Sequence, residues 1–121
     1  MSTTTPEILR KAAEIVRERG LYKGSMLAPS AIDGPCCTYA ALFLAAGAEQ
    51  VMNEFTGSHY LYPTGISLGA IDPTRAFLEK TVGTKHLPSW NDRPERTLEE
   101  VTAALRTAAD MAETLNRANS T

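Results

Sequence analysis

The sequence predicts an all-α fold, a four-helix domain with a mostly buried central helix, on three observations. Amphipathic stretches with clear start signals lie near both ends of the chain, around residues 6–19 and 97–117. Between them, after Pro35, runs an alanine-rich stretch that is apolar nearly all round. Proline and glycine fall between these stretches or at their ends. The 121 residues suit a single domain, with an ordered core expected over about residues 6–118.

The first helix is expected over 6–19. Thr4 or Thr5 can cap it, Pro6 suits its first turn, and Glu7 stands three residues after Thr4 as in a capping box. Ile8, Leu9, Ala12, Ile15 and Val16 share one face, and Gly20 is placed to end the helix in a left-handed cap. Residues 21–34 read as a connection broken by Gly24, Pro29, Asp33 and Gly34. Asp33 or Gly34 followed by Pro35 then opens the central helix, 35–46, which Gly47 closes. Its alanines allow close approach of neighbouring helices.

Ala48–Phe55 can continue as a helical turn or two, with Val51, Met52 and Phe55 inward. Beyond it, Gly57, Pro63, Gly65 and Gly69 punctuate His59, Tyr60, Leu61, Tyr62 and Ile66. Such a pattern makes either a short hairpin or a packed irregular loop, and the aromatic, glycine-rich loop is the expectation. Asp72-Pro73 signals a third helix over 73–82, ended by Gly83, with Ala76, Phe77 and Val82 inward. A connection holding His86, Pro88, Trp90, Asn91, Asp92 and Pro94 precedes the last helix, 97–117. There Thr97 and Glu100 form a capping box, and Val101, Leu105, Ala108, Ala112 and Leu115 form one stripe.

Charge and cysteine usage exclude several classes. Twelve Lys and Arg stand against fourteen Asp and Glu, and the N-terminal cations Arg10, Lys11, Arg17, Arg19 and Lys23 are interleaved with Glu7, Glu14 and Glu18. That is a solvated helix face, and nucleic acid is not an expected partner. A helix-turn-helix is equally unsupported, because the central helix is apolar and the third offers only Arg75 and Lys80. The only cysteines, Cys36 and Cys37, are adjacent, so they staple no loop and point to a reducing, cytoplasmic compartment. Tyr39–Gly47, the longest apolar run, is about half of what a membrane span needs. No signal-peptide pattern opens the chain.

Three groups of residues are candidates for chemistry or binding. Cys36 or Cys37 at a helix N-terminus could act as a nucleophile with His59 or His86 as base, but no elbow or triad signature links them and packing is the expected role. Cys36, Cys37, His59 and His86 have the right letters for zinc but the wrong spacing, so neither a metal nor a cofactor is expected. Trp90, Asn91 and Asp92 offer a stacking face and polar contacts to a ligand. On the other reading Trp90 anchors its loop in the core while Asn91 and Asp92 bond their own turn's backbone, and this is the expected one. His59, Tyr60 and Tyr62 either line a pocket or partner surface or pack inward, and they are the first place to seek a functional surface.

Two segments carry a resemblance. The Gly20-Leu21-Tyr22-Lys23-Gly24 turn with its following Cys37-containing helix, and Ser89-Trp90-Asn91-Asp92 before Pro94, Thr97, Glu99, Glu100 and Val101, together resemble an uncharacterised family of small proteins from actinobacteria and their phages. In that family a Cys shortly followed by Gly-Ala opens the central helix, whereas here Cys37 precedes Thr38-Tyr39-Ala40-Ala41. The resemblance implies a shared fold over about residues 6–118 and a phage or actinobacterial setting, and carries no catalytic assignment. The functional expectation is a non-enzymatic cytoplasmic interaction protein, phage-encoded and host-directed, whose partner is another protein or a second copy. The alternative is a small enzyme or ligand-binding domain using Cys37, His59 or Asp92.

Overall fold

The computed structural model describes residues 4–24, 34–57, 59–62 and 65–119, and describes the side chains of all of these except His59, Tyr62, residues 65–70 and Asn119. The expected breakers Pro29, Asp33 and Pro63 lie outside the described residues, as does the side chain of Ile66. Among the described residues there are five helices and one hairpin: α1 (Thr5–Arg19), α2 (Thr38–Ala45), β1 (Glu49–Met52), β2 (His59–Tyr62), α3 (Gly65–Val82), α4 (Leu87–Asn91) and α5 (Leu98–Asn119). Helix accounts for 64% of the structure against 8% strand, so the all-α assignment holds.

Helix α1 starts where its sequence says. Thr4 Oγ1 accepts from the Glu7 amide at 3.4 Å and donates to the Glu7 carboxylate, satisfying one of the orphan amides of the first turn. Gly20 ends the helix with φ 95° and ψ 161°, an extended glycine conformation rather than the left-handed cap expected. The cause is a pairing across the connection. Gly20 O accepts from Cys36 N at 3.2 Å and Tyr22 N donates to Cys36 O at 3.0 Å, so the chain must leave α1 already extended to pair with the approach to α2. A side chain at this φ would be strained.

Helix α2 begins at Thr38, three residues later than Pro35 suggested, with Cys37 as its N-cap. Its end is a Schellman arrangement: Gly47 N donates to Leu44 O and Ala48 N to Phe43 O, with Gly47 at φ 101°. Ala40, Ala41, Leu42 and Ala45 are buried, as the apolar composition required, while Tyr39 and Phe43 form a tilted ring pair at a centroid separation of 5.0 Å. The neighbours of α2 are α1, α3, α4 and β2, and α1 packs most extensively along α5. α5 therefore reaches α2 mainly through α1 rather than wrapping it. Helix α1 can bridge both because its buried residues form two columns, Ile8 with Ala12 and Leu9 with Ala13 and Val16.

Two expectations are corrected between residues 48 and 82. The expected loop is an antiparallel hairpin, with Glu49 opposite Tyr62, Gln50 opposite Leu61, Val51 opposite Tyr60 and Met52 opposite His59. Its turn is set by Asn53, whose Oδ1 accepts from Phe55 N (2.8 Å) and Thr56 N (3.2 Å), and by Gly57 at φ 73°. Met52 and Phe55, expected inward on a helical reading, are 53% and 97% exposed instead. Met52 ends β1 and Phe55 lies in the turn beyond it, so no helical face turns them inward.

The third helix, α3, starts at Gly65 and continues through Pro73. Pro73 is solvent-exposed, and the helix continues past the backbone donor it lacks. The inward residues are Ile71, Thr74 and Leu78, at i, i+3 and i+7, with Phe77 and Val82 partly buried; Ala76, expected inward, faces solvent.

Helix α5 agrees closely with its sequence signals. Thr97 accepts from Glu100 N at 3.1 Å, and Val101, Leu105, Ala108 and Ala112 are buried. Leu115, the last of the expected stripe, is 51% exposed rather than inward. Arg10 of α1 pairs with Asp110 (2.9 Å) and Glu113 (2.5 Å) along the exposed seam.

Candidate functional site

The connection before α5 contains a short helix, α4, where the sequence predicts only loop. His86 caps it, its Nδ1 accepting from Ser89 N at 3.3 Å and lying 2.7 Å from Ser89 Oγ. Since Nδ1 accepts the amide, it carries no proton and the Ser89 hydroxyl donates to it. From the side of α3, the nearly buried Glu79 accepts from Leu87 N at 2.9 Å and pairs with Arg75.

This helix delivers Trp90, Asn91 and Asp92 to three different parts of the chain. Trp90 is 9% exposed and belongs to the core, with the Arg96 guanidinium 4.2 Å from its ring centroid. Arg96 Nε also donates to Trp90 O at 3.0 Å, so the side chain that shields the ring closes the turn into α5. Asn91 is fully buried. Its Oδ1 accepts from both Thr38 N (2.8 Å) and Thr38 Oγ1 (2.6 Å), and its Nδ2 donates to Tyr22 O and to Asp92 Oδ1, each at 3.0 Å. Asp92 Oδ1 in turn accepts from Gly24 N at 3.1 Å, and Lys23 Nζ donates to Arg93 O at 2.6 Å.

The Trp-Asn-Asp triplet thus does more than bond its own turn. It ties the segment after α1 and the start of α2, 69 and 53 residues away in sequence, to the entry of α5. Both polar atoms of the Asn91 side chain are occupied by the protein itself.

Cys37 sits at this junction. Its sulfur accepts from Ala40 N at 3.3 Å, the N-cap position of α2. Both cysteines are buried free thiols. Burial pushes the Cys36 thiol up to about 11, against a smaller opposing pull from Arg19. Burial likewise raises Cys37, with the amides of Ala40 and Tyr39 opposing and the Asp92 carboxylate reinforcing. A helix N-terminus alone does not make a thiolate when the site is dry. Among the described residues no histidine is hydrogen-bonded to either sulfur, and no three His, Cys, Asp or Glu side chains converge as metal ligands.

The other candidate group lies on the hairpin. Tyr60, opposite Val51, is 48% exposed; with Met52 and Phe55 it gives three large apolar side chains held out to solvent on one hairpin. His59 and Tyr62 hold register positions opposite Met52 and Glu49, and their side chains lie outside the described residues. The hairpin is attached at its base, where Leu61 packs against the core and Arg19 donates to Gln50. Sequence reasoning missed Phe55 as a surface residue. The signal available was Asn53 and Gly57 bracketing it, a turn pattern that places the residues between at a tip.

Among the described residues no helix is long and apolar enough to cross a membrane. No curated protein and no solved structure matches the chain. Residues 1–111 match the model of a family described as "Family of unknown function (DUF6197)", and the chain belongs to that family.

Proposed function

We propose that this chain is a non-enzymatic interaction domain that docks a protein, another chain or a second copy, through its hairpin. The observation that carries this reading is the exposure of Phe55 (97%), Met52 (53%) and Tyr60 (48%) on one protruding element. A small domain gains nothing in its own core from such side chains, whereas aromatic and methionine side chains are the usual anchors of interfaces. The hairpin also offers strand edges to which a partner strand can add. Free, buried thiols support a reducing, cytoplasmic location. The Trp90-Asn91-Asp92 resemblance supports an actinobacterial or phage setting in which the partner is a host protein.

Thiol catalysis is the weaker reading, because both sulfurs are buried and held as thiols by that burial. The test pairs sedimentation of the purified chain over a wide concentration range with affinity capture from an actinobacterial lysate, each repeated with Phe55→Asp. Self-association or a captured protein that Phe55→Asp abolishes is the expected result. A monomer that captures nothing, or captures the same proteins with and without Phe55, refutes the proposal.

A further inference from the structure

We infer that the notch between the end of α3 and the turn entering α5 binds a small phosphate monoester. This is a second site, on a different part of the molecule from the hairpin. The notch has a volume of about 300 Å³, the lower end of the range for small-molecule sites. Its walls include Thr84, Ser89, Trp90, Arg93 and Arg96; two cations face it and no carboxylate lines it. Their carboxylate partners, Glu95 and Glu100, stand outside the walls.

The two arginines play different parts. Arg96 is fixed in place: its guanidinium lies over Trp90, its Nε bonds Trp90 O, and its Nη1 meets Glu100 at 2.9 Å. A guanidinium held on one side in this way presents a preorganised edge, which lowers the ordering cost of binding. Arg93 is exposed and only loosely paired with Glu95, at 3.6 Å, so it can swing to close a fork on a phosphate.

The hydroxyls explain the ester. Ser89 Oγ donates to His86, and Thr84 Oγ1 donates to His86 O while accepting from His86 N. Both oxygens keep a lone pair but have no proton left, so they repel a bare phosphate oxygen and accept from a ligand hydroxyl. A phosphate with hydroxyls attached satisfies both halves of the notch.

Trp90 is the only tryptophan in the chain, so its fluorescence reads the notch directly. Titration with glycerol 3-phosphate at constant ionic strength is expected to give a saturable change at concentrations on the order of millimolar, tighter than inorganic phosphate. Arg93→Gln is expected to weaken binding about tenfold, the loss of one charge-assisted fork. Lys85→Gln removes the same charge from an exposed neighbour outside the walls and leaves affinity unchanged within about twofold. A response that never saturates, an equal response to sodium chloride, an equal loss in both variants, or inorganic phosphate binding while the ester does not would each overturn the assignment. Thermal unfolding of Arg93→Gln, expected to match wild type, separates lost binding from lost folding.

Discussion

The junction around Asn91 and the hairpin around Phe55 are opposites. At the junction a fully buried amide is saturated by protein partners, while on the hairpin a phenyl ring stands 97% in solvent. Each inverts the usual placement of its residue type, and each inversion has a cause. An amide is stable in the interior only when every polar atom is bonded, which makes its position unique and its loss expensive. An apolar ring in water is tolerated when the element that carries it is anchored elsewhere, here through Leu61 at the hairpin base. The first inversion organises the fold; the second is available to something outside it.

The sharpest way to break the comparison is Asn91→Ala. The substitution strands Thr38 N, Thr38 Oγ1 and Tyr22 O without their partner. Two buried donors and an acceptor left unpaired are expected to cost about 3–4 kcal/mol, read as a lower urea midpoint at unchanged slope. A loss under about 1 kcal/mol would mean that water reaches the junction, and that the triplet is free to bind a ligand after all.

Next in size is a pH effect confined to the junction side. Cys36 is raised from 9.0 to about 11 by burial, so the folded state holds its thiol proton more tightly than the unfolded chain does. Its contribution is fully present below pH 9.0 and is lost as pH rises toward about 11. The expected loss across that window is on the order of 2 kcal/mol. Tyrosines and lysines titrate in the same range, so the measurement is the difference in slope between wild type and Cys36→Ala. Identical slopes would place the Cys36 sulfur in water.

Smaller still is the cap on α2. Cys37→Ala removes the acceptor for Ala40 N and is expected to cost about 1 kcal/mol, whereas Cys37→Ser keeps an acceptor and recovers most of it. Equal losses in both would assign the role of Cys37 to volume rather than capping.

How far the sequence spoke differs between the same two regions. The ends of the chain were legible because Thr4 with Glu7 and Thr97 with Glu100 are local signals, each acting within one helical turn. α2 was legible as buried from composition, but its start was not, since Cys37 caps it directly after Cys36 pairs with Gly20 and Tyr22, a contact that no local signal announces. Pro73 misled because it sits inside α3 rather than at its start; the Ile71–Thr74–Leu78 spacing crossing it was the better signal. Trp90-Asn91-Asp92 stands out in the sequence, yet the partners of Asn91 lie 53 and 69 residues away and no local rule names them. The hairpin was hidden because β1 reads as readily in a helical period as in a period of two, and only pairing decides between them.

The smallest expected effect on stability carries the most about function. Phe55→Ala removes a side chain that is 97% exposed, so it takes almost no apolar area out of the interior and is expected to change unfolding free energy by less than about 0.5 kcal/mol. Against a partner the same substitution is expected to weaken association at least tenfold, because an aromatic anchor contributes only when its surroundings are desolvated on binding. Tyr60→Ala should behave alike but less cleanly, since Tyr60 is half-buried opposite Val51. The two measurements pull apart on the hairpin and run together at the junction, where any binding defect of Asn91→Ala must track its loss of folding. If Phe55→Ala instead unfolds the domain as readily as a core substitution, the ring packs inward in solution and the hairpin is structural, and the contrast between the two regions disappears.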